Sequence, residues 1–278
     1  MNKENLKIAP NKYNQSDVSV VLFFMIAFLF TWAFHLSIPL LGLTFTFDIN
    51  NPAIALYFIG ILGPSAAAIF VTARFKGLVG LKKLLYSALR WRFNPIWYMF
   101  AIFIVALIMF ANIGIHIKAM PIPSQWMSFP LLLFAVQLWV VIGEEFGWRG
   151  FALPRLQNQI GSLGASLVLG LIWACWHLPM FFISGSSQYT DSFFYAFPKY
   201  VLIVTFWSII ISMLYNRTNG SVLVCMIFHA CLNIAAFTIH MPSEANLMSY
   251  LYIPVVLMSI ILLPSPLLIW NFRKREMD

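Results

Sequence analysis

Residues 131–154 read LLLFAVQLWVVIGEEFGWRGFALP. A helix of about 20 apolar residues crosses the roughly 30 Å hydrocarbon core of a bilayer, and this run is long enough. Its second half nevertheless carries Glu144, Glu145 and Arg149. A charge at mid-membrane costs about 2.5–3.5 kcal/mol on insertion scales. Charged side chains placed there face a protein interior, where they pair with one another or do chemistry.

The rest of the chain agrees with a membrane setting. Of its 278 residues, 61% are hydrophobic and 9% are charged. A soluble domain carries about 25% charged residues, so this chain could not cover a water-facing surface. The net charge of +8 is therefore no sign of nucleic acid, and none is expected as a partner. Eight segments are apolar and long enough to span: 18–43, 52–73, 96–117, 130–152, 161–183, 195–215, 220–240 and 248–271. The runs are continuous rather than alternating, which excludes a barrel. The expected fold is all-α and polytopic, about eight transmembrane helices around a buried polar site. It divides into a polar leader 1–17, one transmembrane domain 18–271 and a basic tail 272–278. The first run lacks a small-residue cleavage site and reads as a helix, not a signal peptide.

Charge between the segments gives an orientation. The leader holds Lys3, Lys7 and Lys12, and the gap after segment two holds Arg74, Lys76, Lys82, Lys83, Arg90 and Arg92. Arg155, Arg217 and the tail residues Arg273, Lys274 and Arg275 follow on the same side. Alternate gaps hold Asp48, Lys118, Asp191 with Lys199, and Glu244. The basic side should be cytoplasmic, with both termini inside. The stretch RFKGLVGLKKLLYSALRWRF, 74–93, reads either as an amphipathic helix on the anionic inner leaflet or as a solvated loop. Cys175, Cys225 and Cys231 form no CxxC pair and read as small buried hydrophobes.

The chain has nine acidic residues. Glu4, Asp17, Asp48, Asp191, Glu244, Glu276 and Asp278 lie in the leader, gaps or tail, so only Glu144 and Glu145 fall inside a segment. Glu145 and Arg149 are i,i+4 and share a helix face. Glu144 points about 100° away. A structural ion pair needs one glutamate. The other is left over, and a carboxylate beside a shielded cavity can serve as a general base. Gly143 and Gly147 make a small-xxx-small strip that lets another helix approach.

Later segments add His177 in LIWACWHLPMFF and, one turn apart in CMIFHACLNIAAF, His229 and Asn233. His35, His116 and His240 have no such company and read as structural or interfacial. Peptide hydrolysis needs a base for water, here Glu144 with His177, and donors for the oxyanion, here His229 and Asn233. The alternative is a zinc ion held by Glu144, His177 and His229 with water in the fourth position. Against it, HExxH is absent, and no GxSxG elbow offers a serine nucleophile.

These motifs resemble those of the CAAX protease and bacteriocin-processing (CPBP or Abi) family of intramembrane proteases. EEFGWR, Glu144 to Arg149, is similar to its EExxxR motif. WACWH resembles FxxxH, with Trp173 in place of the usual Phe, and HACLN resembles HxxxN. The three stand in family order over about 90 residues, each on its own segment. The resemblance implies a prokaryotic type II CAAX prenyl endopeptidase-like enzyme, with Glu144 and His177 activating water. It implies that His229 and Asn233 stabilise the oxyanion and that Glu145 and Arg149 support the site. It leaves open a glutamate-dependent or a zinc mechanism. Substrates would be membrane-associated or lipidated peptides, in a bacterial plasma membrane. Two other classes remain: a proton-coupled transporter, since buried Glu, His and Arg also build relays, and a non-catalytic immunity or scaffold protein on the same fold. The absence of inverted repeats speaks against the former.

Overall fold

The computed structural model describes residues 15–103 and 130–238, and every regular element among them is helical. Helix α1 spans Gln15–Leu40, α2 Pro52–Gly60 and α3 Gly63–Ala88. A further helix starts at 96 and reaches the edge of the described residues at 103. Helix α4, Pro130–Glu145, widens into a π-helical stretch, Phe146–Ala152, and resumes as α5, Leu153–Trp176. A 3-10 turn, Leu178–Phe182, leads to α6, Phe193–Arg217, and α7, Val222–Thr238. Helix α1 starts three residues before the boundary expected at 18, and the tail lies outside the described residues.

The faces of α1 are arranged for lipid. Val20, Phe23, Ala27, Thr31, His35 and Ile38 are buried, while Val21, Met25 and Leu29 are exposed. The polar Thr31 and His35 therefore point inward and the outward stripe is apolar, the reverse of a soluble helix. Among the described residues, Val18–Leu40, Ala135–Phe182 and Phe193–Arg217 are long and apolar enough to cross a membrane. The pair α2–α3, bent by 42°, makes a fourth. The chain is thus an all-helical integral membrane protein with three to four candidate spans in these residues. The expected count of about eight is not reached there. Segment eight and segment three beyond 103 lie outside the described residues. Segment seven survives as a shorter apolar helix, Val222–Ile234.

Two further differences have local causes. Segment two is broken at Ile61–Leu62, because Pro64 sits in the first turn of α3 and His35 fills the space beside Gly60, where a Cβ would lie 2.4 Å from its ring. Segments four and five are not separated by a loop around Arg155; the helix continues to Ile160 and Gly161. Gly161 has φ 71°, a conformation glycine adopts without penalty. Trp173 and Glu144 are 29 residues apart yet hydrogen-bonded at 2.6 Å. In one straight helix they would stand about 43 Å apart, so the chain must fold back at that break.

The 74–93 stretch is helical through Ala88, with a break at Gly77, and exposes Leu78, Val79 and Tyr86 beside Lys82 and Lys83. Of the cysteines only Cys225 is fully buried; Cys175 is exposed on α5, against expectation. On a lipid-facing helix a small apolar thiol needs no protein cover. The core is aromatic: Phe23 stacks on Phe151 at 4.8 Å, and Trp148 meets Phe23 and Trp176 edge-on at 5.7 and 5.8 Å. Each such pair adds about 0.5–1.5 kcal/mol beyond area burial.

Candidate active site

The wide turn after Glu145 sets the site. A π-helical stretch shifts the side-chain register of the helix that follows it, and such turns recur where side chains must be re-aimed. Three contacts fasten this one. Ser65 Oγ donates to the Ile142 carbonyl at 2.6 Å. The first residues of α3 press against Gly147, where a Cβ would lie 2.5 Å from Pro64. Ile61 fills the space beside Gly143, at 2.9 Å from such a Cβ. The two glycines read as a close-approach strip therefore receive the α2–α3 elbow.

Glu145 is fully buried. Its Oε1 accepts from Arg149 Nη1 at 2.8 Å and lies 2.8 Å from His229 Nδ1. Arg149 is fully buried too, with its guanidinium carbon 4.4 Å over the Trp173 ring. Glu144, one residue earlier, takes no part in this cluster. Its Oε2 accepts the indole N–H of Trp173 at 2.6 Å, its one hydrogen bond among the described residues. Neighbouring carboxylates on one helix thus have different tasks: one is tied to an arginine and a histidine, the other is held by one indole donor.

His177 caps α5. Its Nδ1 lies 2.9 Å from the Trp173 carbonyl. A carbonyl only accepts, so Nδ1 carries the proton, and in the neutral ring Nε2 keeps its lone pair. The ring is walled by Trp176 at 4.7 Å and Tyr200 at 5.5 Å. His229 stands nearly perpendicular to the Trp173 ring with centroids 5.1 Å apart, and Asn233 is half-buried one turn along α7. Five of the six residues singled out in the sequence, Glu144, Glu145, Arg149, His177 and His229, therefore converge around Trp173. Asn233 stands one turn from His229 on the same helix and makes no side-chain hydrogen bond to that group among the described residues.

Sequence reasoning missed three aromatic neighbours. Trp173 had a signal: it stands one turn before His177, on the same helix face. Tyr57 and Tyr200 had none, since each comes from a distant helix to within electrostatic range of Glu144. His35, set aside as structural, lies 3.0 Å from the Tyr57 carbonyl through Nε2 and stacks on the Tyr57 ring. His116 and His240 lie outside the described residues. A zinc site would need Glu144, His177 and His229 to turn toward one point. Among the described residues no three His, Cys, Asp or Glu side chains are so gathered. As they stand, Glu144, His177 and His229 do not meet at one point that could hold the ion.

Comparison with known proteins covers this same stretch. Residues 125–235 match the family model of type II CAAX prenyl endopeptidase Rce1-like proteins. The candidate site lies inside the stretch that is similar to that family. All six candidate residues lie within the matched region. A 94-residue stretch is 33% identical to CAAX prenyl protease 2 of Methanococcus maripaludis, over 33% of this chain and 34% of that protein. The match thus spans about a third of the length of that relative. The likeness to CAAX-type proteases carried by the three motifs is shown for this Rce1-like region.

Proposed function

We propose that the chain is an intramembrane endopeptidase of CAAX type, cleaving a membrane-associated or prenylated peptide with water activated by Glu144. One observation carries the reading. Glu144 is buried, shares no hydrogen bond with the Glu145–Arg149–His229 cluster and among the described residues has a single hydrogen bond, to a neutral indole. A carboxylate so placed keeps an oxygen for a proton. The Rce1-like match and the name of the Methanococcus relative support the class of substrate.

Glu144 takes a proton from water, and the hydroxide oxygen bonds to the scissile carbonyl carbon. The carbonyl oxygen becomes the oxyanion. His177, with Nε2 free to accept, holds the same water. The proton then passes from Glu144 to the amide nitrogen as the C–N bond breaks, leaving a carboxyl and an amine. His229 donates to the oxyanion from Nε2. With Nδ1–H directed at Glu145, it can do so only as imidazolium, and the buried Glu145 carboxylate supplies the counter-charge. Asn233 offers a second donor through its amide. No step passes through a metal. The basic side of the protein faces the cytoplasm of a bacterial plasma membrane, with both termini inside.

The test is cleavage of a fluorogenic farnesylated CAAX peptide by purified protein in detergent. Wild type should cut it, and Glu144→Gln should not. Equal rates for both would remove Glu144 from the chemistry.

A further inference from the structure

Trp173 stands where the motif this chain resembles has Phe. Phe offers a ring and no donor. Here the indole Nε1–H donates to Glu144 Oε2 at 2.6 Å. The same residue supplies the carbonyl that fixes His177 Nδ1, the ring face beneath Arg149 and the ring to which His229 stands nearly perpendicular. A ring alone could serve the last two contacts, and any residue's backbone could serve His177. Only the contact to Glu144 needs the indole nitrogen.

We infer that Trp173 is a positioning residue for Glu144: its N–H fixes one carboxylate oxygen so that the other is presented to the attacking water. This rests on the reading of Glu144 as general base. Without the donor the carboxylate can rotate about its terminal bond, and the fraction of time spent in the productive orientation falls. The effect belongs to turnover and not to peptide binding, since Trp173 acts through Glu144 and need not touch the substrate.

Trp173→Phe keeps a ring in the same place and removes the N–H. Its kcat should fall on the order of 10-fold or more, the scale of loss when a catalytic group is misplaced, with KM unchanged within about twofold. An unchanged kcat overturns the inference, and so does a raised KM with kcat preserved. A spectroscopic readout is independent of turnover. In protein labelled with ¹⁵N-tryptophan, one of the ten indole N–H protons should lie well downfield, because its acceptor is a carboxylate. Trp173→Phe should delete that resonance, and Glu144→Gln should move it upfield into the envelope. Should Trp173→Phe fail to fold, the labelled wild type and Glu144→Gln proteins decide: no indole proton moving between them overturns the inference. The two readings fail separately. Cleavage retained by Glu144→Gln removes the general base. Cleavage lost in Glu144→Gln but intact in Trp173→Phe removes only the role of Trp173.

Discussion

Glu145 and His229, 84 residues apart in the chain, meet at 2.8 Å between Oε1 and Nδ1. The same oxygen receives Arg149 at 2.8 Å. Pairing of Glu145 with Arg149 is expected from their i,i+4 spacing; the third member comes from α7 and ties that helix to the wide turn. Glu145→Gln leaves a buried guanidinium without its counter-charge, and breaking a buried pair costs about 3–5 kcal/mol. Thermal unfolding in one detergent should show a clear loss of stability. A melting point equal to wild type would mean that Arg149 finds another acceptor.

Glu144→Gln should behave in the opposite way. The amide keeps the volume and can still accept from Trp173 through its oxygen, while a buried charge and its burial cost disappear. Cleavage should drop to background and the melting transition should stay close to wild type. The contrast between neighbours separates chemistry from support: one variant is inactive and stable, the other destabilised. If Glu144→Gln melted far below wild type, its carboxylate would be a structural member of the bundle.

The legible part of this site is local. The i,i+4 spacing places Glu145 against Arg149, and Glu144, a residue earlier, falls elsewhere on the helix. The small-residue strip at Gly143 and Gly147 likewise implies close approach by another element. The less legible part is long-range or depends on backbone irregularity. Nothing in FGWRGFA announces a π-helical turn, since its residues would fit an α-helix equally well. The reversal between segments four and five is legible as the gap between 152 and 161, but not its place at Gly161, since glycine is also common inside membrane helices. His229 reads as a free oxyanion donor because its partner lies on a different helix, and no periodicity relates them. Trp173 reads as a mild substitution of one aromatic for another, and only its indole nitrogen, aimed at Glu144, makes the difference matter.

Chelation should leave the enzyme active. The proposed route needs no metal, and among the described residues Glu144, His177 and His229 are not gathered to hold one. Cleavage of the farnesylated peptide after treatment with 1,10-phenanthroline, with metal content measured on the same sample, provides the check. Retained turnover at well below one zinc per chain is expected. Activity lost on chelation and restored by zinc would require these side chains to rearrange, and would overturn the metal-free route.

The packing of the site on the α2–α3 elbow can be tested away from the chemistry. At Gly147 a methyl group would lie 2.5 Å from both the Cβ and the carbonyl oxygen of Pro64. A proline at a helix start cannot swing aside, and backbone cannot retreat without moving α3. Overpacking of this kind costs about 1–3 kcal/mol, and Gly147→Ala should lower the melting point accordingly. Gly164 provides the control, since a methyl there meets nothing nearer than Ile160 at 3.6 Å. In a helix, alanine is favoured over glycine by about 0.8–1.0 kcal/mol, so Gly164→Ala should be neutral or stabilising. Gly147→Ala should also slow cleavage, because moving α3 shifts the turn that carries Glu144, whereas Gly164→Ala should leave the rate intact. Equal stability and equal rates for the two variants would show that the elbow does not hold the site in place.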